Sequence, residues 1–150
     1  MIGSGRRRAH PCAVNGSDSW RTAAIIAIVD DDADVRGSVE SLMRSAGIET
    51  CSFASAEAFL ASPLCPRVDC IVTDLHMPGI DGLGLQLELG RRGTAVPVIV
   101  VTGFPDPAAQ QRAIEAGALA FLAKPVDPDI LLDLVEGVLR QARGQTPKDQ

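Results

Sequence analysis

Ala23 to Val29 is an unbroken apolar run that ends abruptly in Asp30-Asp31-Asp32, and this one feature most constrains the fold. A short apolar stretch bounded by polar residues suits a strand buried on both faces of a parallel sheet. Comparable strand signals recur at Ile48–Phe53, Asp69–Thr73, Pro97–Val101 and Leu119–Ala123. Helical segments separate them. Val35, Val39, Leu42, Met43 and Ala46 share one helix face, with Asp32 as N-cap and Gly47 as the stop. Ser55 caps a short helix containing Ala58, Phe59 and Leu60, which Pro63 ends. Residues 107–116 form an Ala-rich helix with Pro107 in its first turn and Gly117 beyond its end. A last helix starts at Asp127 or Asp129 and aligns Leu131, Leu134, Val135 and Val138.

The stretch after Met77-Pro78-Gly79-Ile80-Asp81-Gly82, which is turn chemistry, is ambiguous. Leu83, Leu85, Leu87 and Leu89 alternate at period two, which alone favours a strand. We read it as helix, because Leu85 and Leu89 also fit a four-residue spacing and Arg91-Arg92-Gly93 suits a helix end. Five strands alternating with five helices through short loops specify a doubly wound α/β domain with a mostly parallel sheet. The expected organisation is a disordered extension over 1–22, one domain over 23–143 and a polar tail over 144–150, with no internal repeat.

A chain of 150 residues that is 46% apolar can bury one sizeable core. Its net charge of −5 argues against a free-standing nucleic-acid binder, and the only basic run is Arg6-Arg7-Arg8. The four cysteines form no CxxC pair, and two histidines are too few to rescue a zinc site. Cys51 and Cys70 read as small core residues, and no disulfide framework is implied, which suits a reducing cytosol. No apolar run approaches the ~20 residues that span a bilayer. Residues 1–22 lack the apolar segment of a secretory signal, so a cytoplasmic location without membrane association is expected.

The polar residues at the strand ends carry the chemistry. Asp30 and Asp31 follow the first strand, Asp74 ends the third, Thr102 the fourth and Lys124 the fifth. Open α/β sheets bind ligands at the carboxyl ends of their strands, near the point where strand order reverses. Clustered carboxylates raise one another's pKa unless a cation intervenes. Oxygen-only ligands favour a hard ion such as Mg²⁺. A carboxylate beside that ion can act as nucleophile toward a phosphoryl group. Thr102 and Lys124 are suited to neutralising the charge on its oxygens. Gly103 leaves room for phosphate, and Gly79 lets the loop after Asp74 bend close.

Ile28-Val29-Asp30-Asp31-Asp32, Val72-Thr73-Asp74-Leu75-His76-Met77-Pro78-Gly79, Val101-Thr102-Gly103 and Lys124-Pro125 together resemble the receiver domain of two-component response regulators, in particular the FixJ-like group. The resemblance runs from about Ala24 to about Arg143. It implies a flavodoxin-like sheet in the order 2-1-3-4-5 and phosphorylation of Asp74. Mg²⁺ would be held by Asp31, Asp74 and the backbone carbonyl of His76, with Asp30 acting through water. Thr102 and Lys124 would contact the phosphoryl oxygens. Thr102 and Phe121 would be switch residues, and the Lys124–Pro125 bond is of a kind that is often cis in this family. His76 and Phe104, two residues after Asp74 and Thr102, would tune dephosphorylation by controlling water access.

Phe121 lacks the hydroxyl that many relatives carry as Tyr, so a switch there works by packing alone. Two prolines sit in Phe104-Pro105-Asp106-Pro107, where the family's switching loop moves. Ala120 and Ala123 make the face of the fourth helix, fifth strand and fifth helix more apolar, which favours a homodimer through that face.

The expected partner is a sensor histidine kinase or phosphotransfer protein. The chain would not be an enzyme beyond promoting its own phosphorylation and dephosphorylation. It would act either as a stand-alone receiver or as part of a transcriptional regulator. No helix-turn-helix follows residue 143, so direct DNA binding by this chain is not expected. The alternative is a Mg²⁺-dependent aspartyl-phosphate phosphohydrolase. Its haloacid-dehalogenase-like form needs a second Asp two residues after the nucleophile, where this chain has His76. A flavodoxin-like cofactor binder would need a glycine-rich phosphate loop after the first strand, which is missing.

Overall fold

A computed structural model describes residues 24–142. The extension expected over 1–22 and the tail over 144–150 lie outside the described residues. Five strands, β1 (Ile25–Val29), β2 (Glu49–Phe53), β3 (Cys70–Asp74), β4 (Val98–Thr102) and β5 (Ala120–Ala123), form one sheet in the order β2-β1-β3-β4-β5. All four pairings are parallel. Five α-helices alternate with them: α1 (Ala33–Ser45), α2 (Ala56–Ala61), α3 (Gly82–Arg91), α4 (Pro107–Glu115) and α5 (Pro128–Ala142). A 3₁₀ turn at Cys65–Arg67, not anticipated from the sequence, joins α2 to β3.

The strands are buried on both faces, as their near-continuous apolar runs require. Ala27, Val29, Ile71 and Val100 join Phe59 of α2, Leu85 of α3 and Ala113 of α4 in one core. Ile26, Val72 and Ile99 join Met43 of α1 and Leu131 and Val135 of α5 in the other. Phe59, wholly buried and edge-on to Phe53, is worth about 3 kcal/mol relative to an exposed ring.

Side-chain caps set where the helices begin. Asp32 accepts from the amides of Asp34 (2.8 Å) and Val35 (3.3 Å). Ser55 accepts from Ala58 (3.0 Å), and Asp106 caps α4 one residue before Pro107. Of the two starts considered for α5, Asp127 is the cap: it accepts from Asp129 at 2.9 Å. Each cap satisfies a donor that helix geometry leaves free.

The alternating leucines of α3 resolve as helix. Leu85 and Leu89 are buried, whereas Leu87 is 61% exposed. A strand would have put all the leucines on one face. Cys51 and Cys70 are buried as expected. Cys51 is disulfide-bonded, however, where the sequence implied no disulfide framework; Cys65 and Cys70 are free thiols.

Candidate functional site

The chain leaves β1 in one direction to form β2 and returns to form β3 on the other side of β1. The order therefore reverses between β1 and β3, and a crevice opens at their carboxyl ends. Asp30 follows β1 directly and Asp74 is the last residue of β3. Register places Asp74 opposite Val101, one residue before Thr102, and Thr102 opposite Ala123, one residue before Lys124. The amide of Lys124 donates to the carbonyl of Thr102 at 2.7 Å. Four strands thus bring their terminal polar residues to one edge.

Asp30, Asp31 and Asp74 each offer a carboxylate oxygen, and these lie within 4.8 Å of one another. Asp30 and Asp74 are buried while Asp31 is exposed, so the cluster opens to solvent on one side. The Lys124 ammonium reaches Asp30 Oδ2 at 3.0 Å and Asp74 Oδ1 at 3.3 Å. The other oxygen of Asp30 accepts the amide of Asp32 at 2.9 Å. The cluster fits a hard divalent cation, since its donors are carboxylates alone and are close enough to share one ion.

The electrostatics follow from this crowding. Burial raises the Asp74 carboxyl above its ordinary range, and the charge of Asp30 raises it further. Lys124 pulls in the opposite direction, and Asp31 adds a smaller upward push. Burial alone would depress the Lys124 ammonium. Its hydrogen bond to Asp30 and the charges of Asp30 and Asp74 outweigh that, and the net direction is up. Thr102 is wholly buried, and its Oγ1 accepts the amide of Phe104 at 3.0 Å. A hydroxyl oxygen that accepts in this way still has its own proton to donate.

The model of the family described as "Response regulator receiver domain" matches residues 26–136. The chain belongs to that family. This receiver domain is 38% identical over 128 residues to Nodulation protein W of Bradyrhizobium diazoefficiens, covering 85% of the chain and 56% of that protein. It is 40% identical over 118 residues to the Transcriptional regulatory protein FixJ of Azorhizobium caulinodans, covering 79% and 56%. The chain thus spans just over half the length of these curated relatives. Among solved structures it is similar to FixJ-N, with 34% identity, a TM-score of 0.70, and coverage of 78% of this chain and 94% of that one. It is similar also to the response regulator StyR, with 37% identity, a TM-score of 0.71, and coverage of 81% and 65%. These likenesses put it in the FixJ-like group expected from its motifs.

Within the receiver domain the remaining expected residues are placed as follows. Phe121 is half-buried on β5 and packs against the core that contains Phe59 and Leu85. His76 is exposed, and its ring stands edge-on to Phe104 with centroids 6.1 Å apart. The Lys124–Pro125 peptide bond is cis. Gly79 has φ +78°, the left-handed region, so the bend expected of it is there. A Cβ at Gly103 would meet nothing within 4 Å, so no protein atom demands glycine at that position.

Two contacts escaped sequence reasoning. Arg36 Nη1 donates to the Asp30 carbonyl at 2.6 Å, across one turn of α1. Nothing distinguishes Arg36 from a surface arginine until α1 is docked. Gly82, the first residue of α3, lies so close to β3 that a Cβ there would sit 2.6 Å from the Asp74 carbonyl oxygen. The sequence presents it as ordinary turn glycine. No helix among the described residues is long and apolar enough to cross a membrane.

Proposed function

We propose that residues 23–143 are a phosphoacceptor receiver of a two-component phosphorelay, with Asp74 as the acceptor. The observation that carries this reading is the setting of Asp74. Its carboxyl is raised by burial and then by its acidic neighbours, and it lies within 3.3 Å of a lysine. Asp30, Asp31 and Asp74 would hold Mg²⁺, with the His76 carbonyl as a further ligand. When bound, Mg²⁺ supplies charge neutralisation at the transferring phosphoryl group.

An Asp74 oxygen attacks the phosphorus of a phosphohistidine. The new O–P bond forms as the P–N bond breaks, and the imidazole leaves with the electron pair. Lys124, already drawn toward Asp74, pairs with a phosphoryl oxygen of the product. Thr102 donates its hydroxyl proton to another. That pull on the end of β4, coupled to Lys124 through the 2.7 Å backbone bond, is transmitted to the packing of Phe121 on β5. The protein promotes its own phosphorylation and dephosphorylation and turns over no other substrate.

The donor is a sensor histidine kinase or phosphotransfer protein in the cytoplasm. An apolar groove of about 600 Å³, lined by Val35, Val39, Leu42, Pro125, Val126 and Leu131 beside Lys124, supports docking of such a partner's helix next to the acceptor. Ile114 and Leu119, about half exposed on α4 and before β5, support homodimerisation through α4, β5 and α5. Whether it acts alone or as part of a transcriptional regulator, the unit makes no DNA contact itself.

Incubation with acetyl phosphate and Mg²⁺ tests the reading by intact mass. Wild type should gain one phosphoryl group that hydroxylamine removes, and Asp74→Asn should gain none. Equal labelling of the two would end the proposal.

A further inference from the structure

A charged residue outside the acidic cluster reaches the loop that follows Asp74. Glu57, in the first turn of α2, sends its carboxylate across to the loop between β3 and α3. Its Oε2 accepts the amide of Ile80 at 3.0 Å, spanning 23 residues of sequence. It also fills the space beside Gly79: a Cβ built there would collide with the Glu57 carboxylate. The left-handed φ of +78° is what calls for glycine at position 79, and the exposed Glu57 carboxylate lies over the space a side chain there would take.

The loop so held runs from His76 to Asp81. Backbone bonds fix it at its ends, Leu75 donating to Val101 at 2.8 Å and Gly82 to Leu75 at 2.9 Å. Met77 anchors it by burial. Among the described residues, Glu57 provides the one hydrogen bond that reaches residues 76–80 from another element.

We propose that Glu57 is a positioning residue for the cation site: it holds the Gly79–Ile80 bend so that the backbone of the same loop, at His76, is ordered before a cation arrives. The inference rests on the reading of Asp30, Asp31 and Asp74 as the site of Mg²⁺. A loop ordered beforehand loses less conformational freedom when its carbonyl becomes a ligand. Residues that orient ligands without touching the metal affect affinity for this reason. Glu57 could instead add only negative charge at a distance, and two variants separate these effects. Glu57→Gln keeps an acceptor of the same reach but no charge. Glu57→Asp keeps the charge but is one methylene too short.

The experiment is a titration of the full-length, ¹⁵N-labelled protein with Mg²⁺ alone, following amide shifts around Asp74, together with hydrogen exchange at Ile80. Glu57→Ala and Glu57→Asp should each weaken Mg²⁺ binding roughly fivefold, as expected for loss of one supporting hydrogen bond, and should speed exchange at Ile80. Glu57→Gln should stay within about twofold of wild type in both. Unchanged affinity in Glu57→Ala overturns the proposal, as does a Glu57→Gln variant as weak as Glu57→Ala. If wild type shows no saturable Mg²⁺ response, the cation site itself is wrong, a failure distinct from either of these.

Discussion

β1 and β5 both deliver a charged residue to the same point, yet they are built differently. β1 lies inside the sheet between β2 and β3, and all five of its residues are buried. β5 is an edge strand of four residues, none fully buried, paired only with β4. Asp30, which follows β1, is 2% exposed, whereas the Lys124 side chain beyond β5 is 22% exposed. The interior strand thus fixes the acid, and the edge strand brings in the cation. An element with one neighbour and a thin apolar cover can shift at lower cost than one packed on all sides. That suits the turn from carboxylate to phosphoryl oxygen proposed for Lys124.

The largest expected effect tests the packing side of this contrast. Ile28→Ala in β1 should cost about 3 kcal/mol in urea unfolding, and Leu122→Ala in β5 only about 1 kcal/mol, because the second site is already part-solvated. Equal losses would break the comparison. Next is the charge itself. Lys124→Met removes the partner of both Asp30 and Asp74. It should destabilise the metal-free protein by about 2 kcal/mol near neutral pH, and less once Mg²⁺ is added.

A smaller effect, of opposite sign, comes from Asp74. The Asp74 carboxyl is raised from its ordinary 3.8, so its ionised form is disfavoured in the fold. The penalty is absent at pH below the unfolded value, grows as pH rises toward the folded value, and is full above it. Asp74→Asn should therefore melt a few degrees higher than the metal-free wild type at neutral pH, with the gap closing as the pH is lowered through that window. A gap that persists unchanged at acid pH would point to packing instead.

The smallest effect is a control remote from both strands. Hydrogen bonds from Arg91 and Arg92 lower the Glu88 carboxyl to about 2. Its contribution is present above the ordinary value of 4.5 and is lost as pH falls toward 2. Being on the surface, it is screened by salt. Glu88→Gln should shift the melting temperature only slightly at neutral pH, and not at all in high salt.

The strands were legible because burial on both faces leaves apolar runs, and their observed limits differ from the expected ones by one or two residues. The strand-end residues were legible because parallel topology sends every carboxyl end to the same edge. The α3 leucines show where local pattern is weak. Period two pointed to a strand, and only the site of burial, at Leu85 and Leu89 but not Leu87, decides the matter. The Cys65–Arg67 turn has no apolar period to betray it. Arg36, Glu57 and Gly82 carry no local signal, since each acquires its role from a neighbour brought close by folding. The burial of Asp30 was equally hidden: an aspartate triplet reads as solvated, and it takes a lysine 94 residues away to let one member go inside.

The close approach of Gly82 to the Asp74 carbonyl bears on how such a protein can be diversified. A methyl group at position 82 cannot be accommodated by a rotamer change, because what it meets is backbone. The first turn of α3 would have to lift, and the peptide of Asp74 would tilt with it. In a saturation library scored for signalling, position 82 should therefore be as barren as the proposed acceptor, Asp74, though it donates nothing to the proposed reaction. Substitution tolerance alone would mistake a spacer for a participant.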